Sequence, residues 1–331
     1  MHIPKIIHHI WVGPAPLPAP ARHYIGTWRH HHPGWRMRLW TDDNPPPLRN
    51  RALYDGFTNP GARSDILRYE LLARFGGVYA DTDVECLRPL DPLARTATAF
   101  LGDIAPQHTE TGPQRLEIAV LAAAPGHPFF AQVLAHLEPW AQAFRPFTSA
   151  LSTGPQFLER QLALWGHRPA AGTPGSGVTR LPPACFYPFG WQERPAPGAR
   201  FPDSYALHHW WGSWHTDAVE PVGPVCTLLS ERLYPRFRQF MAALPPEERA
   251  AAEAVLLDEC RGQAASANDF YRLAAATVLA NLPQAEARAL RERLCRDRNA
   301  AVAETARRGS PAGDGGPGVK RREEVVDPQI W

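Results

Sequence analysis

The sequence predicts an α/β fold with a C-terminal helical appendage, and three observations carry that expectation. Strand-like apolar runs at 3–12, 36–40 and 78–84 are separated by segments that include a helically spaced stretch at 62–75. Turn residues punctuate them: Gly13 and the run PAPLPAP, then Asp42-Asp43-Asn44 with three prolines, then Gly76-Gly77. From about residue 226 the composition shifts to Ala, Leu, Glu and Arg at helical spacing through residue 308.

Each element has a local cause. Ile3 to Val12 reads as a buried first strand that leaves Trp11 at its carboxyl end. Arg36 to Trp40 alternates as a second strand. Gly76 and Gly77 stop the 62–75 helix where a left-handed residue is needed, and the chain re-enters as the apolar strand Val78-Tyr79-Ala80, read as far as residue 84. This alternation is the arrangement of a nucleotide-binding sheet, whose ligands sit beyond the carboxyl ends of the strands. Trp11 and Asp81 to Asp83 both fall there. Helices are expected at 127–137 and 154–164, and a short strand at 183–187 within a Gly- and Pro-rich loop. The chain divides into 1–225, a helical region at 226–308 and a Gly-, Pro- and charge-rich tail at 309–331 that is too poor in apolar residues to fold and is expected to be disordered.

Composition excludes some functions. With 331 residues the chain can bury a full core without disulfides, and a formal charge of +2 gives no field that would draw nucleic acid. Five cysteines at irregular spacing, with no Cys-x-x-Cys pair, predict a reducing compartment rather than a disulfide framework or zinc site. No apolar run approaches the ~18 residues of a membrane span, so no transmembrane segment is expected and the protein is expected in the cytoplasm.

The chemistry concentrates in one stretch. A strand places alternate side chains on one face, so Asp81 and Asp83 should project together while Thr82 faces away. Paired carboxylates suit a hard divalent cation, which fills its remaining positions with water and phosphate oxygens. Ser64, Asp65 and Arg68 open the preceding helix, with Asp65 and Arg68 on one face, able to share one pole of a polar ligand. His8 and His9 read as core imidazoles. His30 to His32 are adjacent and cannot all face one ion. Asp42 fits either a structural cap or a ligand contact, and spacing alone does not place Asp103 and Glu117.

The segment SDILRYELLARFGGVYADTDVE resembles the sugar-binding DXD region of the family 32 glycosyltransferases, and more distantly the catalytic core of the clostridial glucosylating toxins. IPKIIHHIWVG, WRHHHPGWRMRLWTDDN and LHHWWGSWH agree with that family in the same order. The resemblance implies a GT-A-type, nucleotide-sugar-binding mixed sheet. It implies a metal-dependent, mannosyltransferase-like retaining enzyme that moves a hexose or related sugar from a UDP- or GDP-sugar to a glycan or other hydroxyl acceptor, reached at the inner membrane face where that acceptor is membrane-borne. Asp65, Arg68, Asp81 and Asp83 are the implied catalytic positions, with Asp83 on Mn²⁺ or Mg²⁺ and Asp81 beside it. Trp11 would stack on the base, Ser64, Asp65 and Arg68 would meet the donor, and Ser213 and Trp214 the diphosphate. His208 and His209 point to opposite faces if extended, so one of them completes the metal shell, and His209 is the expected one. Where relatives often carry an asparagine, this chain has Ile118-Ala119-Val120 with Glu117 just ahead, so mannose is not carried over. Front-face and double displacement both stay open. The competing readings are a toxin-like protein glycosyltransferase and a non-catalytic nucleotide-sugar-binding module.

Overall fold

The computed structural model describes residues 1–105, 116–144, 152–166, 174–191, 193, 195–196, 198–211, 238–239, 241–266 and 269–308. Its strands are β1 (Ile6–Ile10), β2 (Arg36–Trp40), β3 (Gly77–Ala80), β4 (Val84–Cys86), β5 (Ala99–Asp103), β6 (Leu116–Ala123), β7 (Thr179–Leu181) and β8 (Ala206–His208). The helices of the first half are α1 (Ala19–His31), α2 (Arg51–Gly56), α3 (Pro60–Phe75) and α4 (Asp91–Thr96). They are followed by α5 (Pro128–Phe144), α6 (Pro155–Gly166), α7 (Pro246–Ala264), α8 (Asp269–Leu279), α9 (Ala285–Leu294) and α10 (Ala300–Arg308).

Six strands form one mixed sheet in the order β2-β1-β3-β6-β5-β7, and β4 pairs with β8 in a separate antiparallel ribbon. β1 runs parallel to both β2 and β3, β6 is antiparallel to β3 and β5, and β7 is parallel to β5. The expected α/β class is therefore present, with its mixed sheet. Strands β3 and β6 fill the centre of the sheet. β6 is LEIAVLAA, an apolar run with the composition of a strand covered on both faces.

Side chains alternate between two cores. Tyr79, Ala99, Leu101, Leu121 and Ala123 join the cluster formed with α3, α5 and α6, whereas Val78, Ala80, Phe100, Val120 and Ala122 join the cluster with Trp28 of α1. Helices α7 to α10 extend the first of these clusters through Leu256, Ala275 and Leu290. Two polar links cross to them, Arg160 to Glu259 at 2.7 Å and His136 to Glu248 at 2.8 Å.

Helix α3 positions the site. Asn59 caps it by accepting from the Ala62 N–H at 3.1 Å, and Pro60 supplies the pre-set backbone angle of its first turn. Gly76 ends it at φ +62°. Gly77 follows at φ +97°, where a Cβ would stand 2.6 Å from the Ile6 carbonyl oxygen, so β3 can enter beside β1 only with glycine there.

Two boundaries differ from expectation. The 78–84 strand is broken: β3 ends at Ala80, Asp81 to Asp83 make a turn closed by the Val84 N–H on the Asp81 carbonyl at 3.2 Å, and β4 leaves for the second ribbon. The strand expected at 183–187 is a short 3₁₀ turn at Pro183–Cys185, because consecutive prolines cannot donate to a ladder; the strand lies just before it, at Thr179–Leu181. Among the described residues no helix is long and apolar enough to cross a membrane.

Candidate active site

The Asp81 to Asp83 turn lies at the carboxyl end of β3, next to the carboxyl end of β1 that carries Trp11. The turn, rather than strand alternation, brings the two carboxylates together. Asp81, Asp83 and His208 offer ligand atoms that all lie within 4.8 Å of one another.

Behind them, Arg68 is 4% exposed and reaches Asp65 at 3.0 Å and Asp81 at 3.4 Å. It also donates to the Ile118 carbonyl at 2.9 Å and the Ser64 hydroxyl at 3.2 Å, and its guanidinium lies over the Tyr79 ring. Asp65 accepts from the Thr153 hydroxyl at 2.8 Å, and the Tyr79 hydroxyl donates to Asp81 Oδ1. Ser64, Asp65, Arg68 and Asp81 are thus one hydrogen-bonded wall, in which an otherwise costly buried cation is shared by two carboxylates.

β8 supplies the third corner. Val84 pairs with His208 across the ribbon, which puts His208 Nε2 3.3 Å from Asp83 Oδ2. His209 was expected there, and the structure places it elsewhere: consecutive strand residues face opposite ways, so its Nε2 meets Glu85 Oε2 at 3.0 Å and its ring stacks on Tyr24. Its backbone N–H still donates to the Asp83 carbonyl at 3.0 Å. Trp210 then turns the chain at φ +53°, a left-handed conformation unusual for a bulky residue, with its ring against His208. The turn presents the Trp211 N–H to Asp83 Oδ2 at 3.0 Å. Ser213 and Trp214 lie outside the described residues.

Trp11 is partly exposed, with its indole N–H on the Ala15 carbonyl at 2.7 Å. Asp42 accepts from the Gly13 N–H at 2.6 Å and pairs with Arg63 at 2.5 Å, acting as a cap on the loop after β1. His8 is a satisfied core imidazole, donating from Nε2 to Gly76 and accepting from Trp40. His9 donates to the Ala80 carbonyl at 2.8 Å.

The electrostatics separate the two aspartates. Burial raises the pKa of Asp81 against the pull of Arg68. Burial works the same way on Asp83, but the charge of His208 and the Trp211 N–H overcome it and hold Asp83 below the usual carboxylate value. Burial opposes the charge of His208, and Asp83 outweighs it, so the imidazole pKa is raised. Burial pushes Asp65 up to about 7, against Arg68 and Thr153.

The donor set fits a hard divalent cation. Asp81 Oδ2 carries no hydrogen bond among the described residues, and the buried Nδ1 of His208 has none either. Two carboxylates and one imidazole suit Mn²⁺, and the carboxylates alone suit Mg²⁺. Thr153 and Tyr187 complete the surroundings without any sequence signature. Tyr79 is legible only as the strand residue two before Asp81.

Residues 18–100 match the family described as glycosyltransferase sugar-binding region containing DXD motif. The chain is 30% identical over 231 residues to inositol phosphoceramide mannosyltransferase 1 of Schizosaccharomyces pombe, covering 65% of this chain and 64% of that protein. It is 35% identical over 135 residues to lactosylceramide 4-alpha-galactosyltransferase of Rattus norvegicus, covering 39% and 32%. The chain thus spans less than two thirds of the length of either relative. Among solved structures, the UDP-bound glycosyltransferase domain from the YGT toxin aligns over 93% of this chain and 99% of that chain, at 11% identity and a TM-score of 0.42. Residues 18–100 are thus similar to the glycosyltransferase sugar-binding regions that contain the DXD motif.

Proposed function

We propose that the protein is a metal-dependent, retaining glycosyltransferase that moves a hexose or related sugar from a UDP- or GDP-sugar to a hydroxyl of a glycan or similar acceptor. The observation that carries this reading is the convergence of Asp81, Asp83 and His208 beside the buried Asp65–Arg68 pair, at the end of the sheet where Trp11 lies.

Asp83 and His208, with Asp81, would hold Mn²⁺ or Mg²⁺. The bound cation supplies a Lewis acid that stabilises charge on the departing diphosphate. The chain's own residues do the rest. Trp11 offers an indole face to the base, and Arg68, fixed by Asp65 and Asp81, carries the positive charge nearest the sugar. Ser64 and Asp65 line the same wall. Trp211 and His208 keep Asp83 ionised and oriented. Ser213 and Trp214 are assigned to the diphosphate on the resemblance alone. The four described cysteines are free thiols, which supports a reducing compartment and hence a cytoplasmic enzyme.

The test is incubation with a panel of UDP- and GDP-sugars in the presence of Mn²⁺, scoring release of the nucleoside diphosphate. Slow donor hydrolysis that stops on chelation supports the reading. A panel without hydrolysis or binding contradicts it.

A further inference from the structure

Strand β6 is registered with its two neighbours differently. Against β3 the pairing runs unbroken from Gly77↔Ala123 to Ala80↔Val120, and the Asp81 N–H continues it onto the Ala119 carbonyl at 2.8 Å. Against β5 it runs from Ala99↔Ala123 to Leu101↔Leu121 and then jumps to Gly102↔Glu117, leaving Ile118, Ala119 and Val120 as a bulge. Bulges of this kind bend a strand and re-aim a side chain.

Backbone groups in and beside the bulge bond to residues around the site. The Ile118 carbonyl accepts from Arg68 Nη1 at 2.9 Å, the Ala119 carbonyl from the Asp81 N–H, and the Val120 N–H donates to the Tyr187 hydroxyl at 2.9 Å. Glu117 closes the set by accepting the Ile118 N–H on Oε1 at 2.8 Å. Its carboxylate lies within the electrostatic reach of Asp81, Arg68 and His208, and Oε2 carries no hydrogen bond among the described residues. Glycine is required opposite: a Cβ at Gly102 would stand 2.6 Å from the Tyr187 ring. The bulge, the glycine and the tyrosine together set the backbone from which the Glu117 carboxylate projects, next to the Ile118 peptide that Arg68 holds.

We propose that Glu117 is a donor-contacting residue, whose free carboxylate oxygen accepts a hydrogen bond from a hydroxyl of the transferred sugar. A carboxylate acceptor takes a hydroxyl donor and rejects a bare C–H or a bulky acyl group at that position, so Glu117 also selects among sugars. This inference rests on the donor reading above and adds a residue to it.

Glu117→Gln keeps an acceptor for the Ile118 N–H, and Glu117→Ala removes it. Wild type and both variants are compared for melting temperature, for calorimetric binding of UDP and GDP with Mn²⁺, and for binding and hydrolysis of UDP-glucose, UDP-galactose and GDP-mannose. With unchanged diphosphate affinity, Glu117→Ala is expected to lose about tenfold or more in affinity for the sugar nucleotide that wild type takes, the usual cost of a hydrogen bond to a charged group. Glu117→Gln is expected to lose less affinity while its ranking of the three sugars changes. Sugar-nucleotide binding and hydrolysis at wild-type level in Glu117→Ala would overturn the inference. An equal loss of UDP or GDP affinity would overturn it too, assigning Glu117 to the metal shell. Wild type that takes no nucleotide at all sinks the donor reading itself, a separate outcome.

Discussion

His208 Nε2 lies 3.3 Å from Asp83 Oδ2, and both side chains are mostly buried. The pair joins the end of the second ribbon to the turn after β3, so the segment that follows β8 is tied to the carboxylate that would hold a cation. His209, one residue on, is turned away to Glu85 and Tyr24. The two imidazoles therefore separate cleanly in experiment.

His208→Ala is expected to weaken Mn²⁺ binding by about tenfold or more, the scale of losing a metal-site partner, whereas His209→Ala keeps most of it. Calorimetric titration of Mn²⁺ into each variant checks this. The reverse order would return the metal role to His209.

Arg68 is the only cation that Asp65 is paired with among the described residues, and it also holds Asp81. Arg68→Met leaves two buried carboxylates uncompensated, which should cost about 3–5 kcal/mol in urea denaturation. Arg68→Lys is not expected to rescue it, since a point charge cannot reach Ser64, Ile118 and both carboxylates together. A loss under ~1 kcal/mol for the methionine variant would show the wall to be dispensable.

His8 and His9 should each weaken the fold in mild acid, a loss opposed by the raised Asp65 and Asp81 carboxyls, which bind protons more tightly in the folded chain. Burial lowers His8 and His9 from 6.5 to about 4, against the hydrogen bonds to Gly76 and Ala80. The unfolded chain takes up these protons first, so the stability is fully present above pH 6.5 and is lost as pH falls through the window down to about 4. Each imidazole contributes about 3 kcal/mol to that slope. Urea midpoints measured across the window test it, and His8→Asn with a flattened slope would confirm the source.

Gly77→Ala should destabilise by more than ~1 kcal/mol, because the residue sits at φ +97° with the Ile6 carbonyl 2.6 Å from the added carbon. Gly126→Ala, at φ +68° with open space around it, should cost less. Thermal unfolding of the two variants orders them.

The legible part of the fold was what local chemistry writes down. Arg36 to Trp40 alternates and forms β2 with those bounds, and the Gly76-Gly77 pair ends α3 as its turn chemistry requires. That Asp81 and Asp83 come together was legible, although their geometry comes from a turn and not from strand pleat. Choosing between His208 and His209 was not possible from spacing, because the choice is made by the β4 register, with Val84 opposite His208. Thr153 reaches Asp65 across the fold and carries no local mark. Glu117 was readable as an acidic residue without a place; the three-residue slip against β5 that aims it is a pairing property no single strand reveals.

The most direct test of the central claim is calorimetric titration of UDP and GDP into the protein with and without Mn²⁺, in wild type and Asp83→Asn. Uptake of one nucleotide that requires Mn²⁺ and disappears in Asp83→Asn is the expected result. Binding that ignores both the metal and the substitution, or no uptake of either nucleotide, would contradict it.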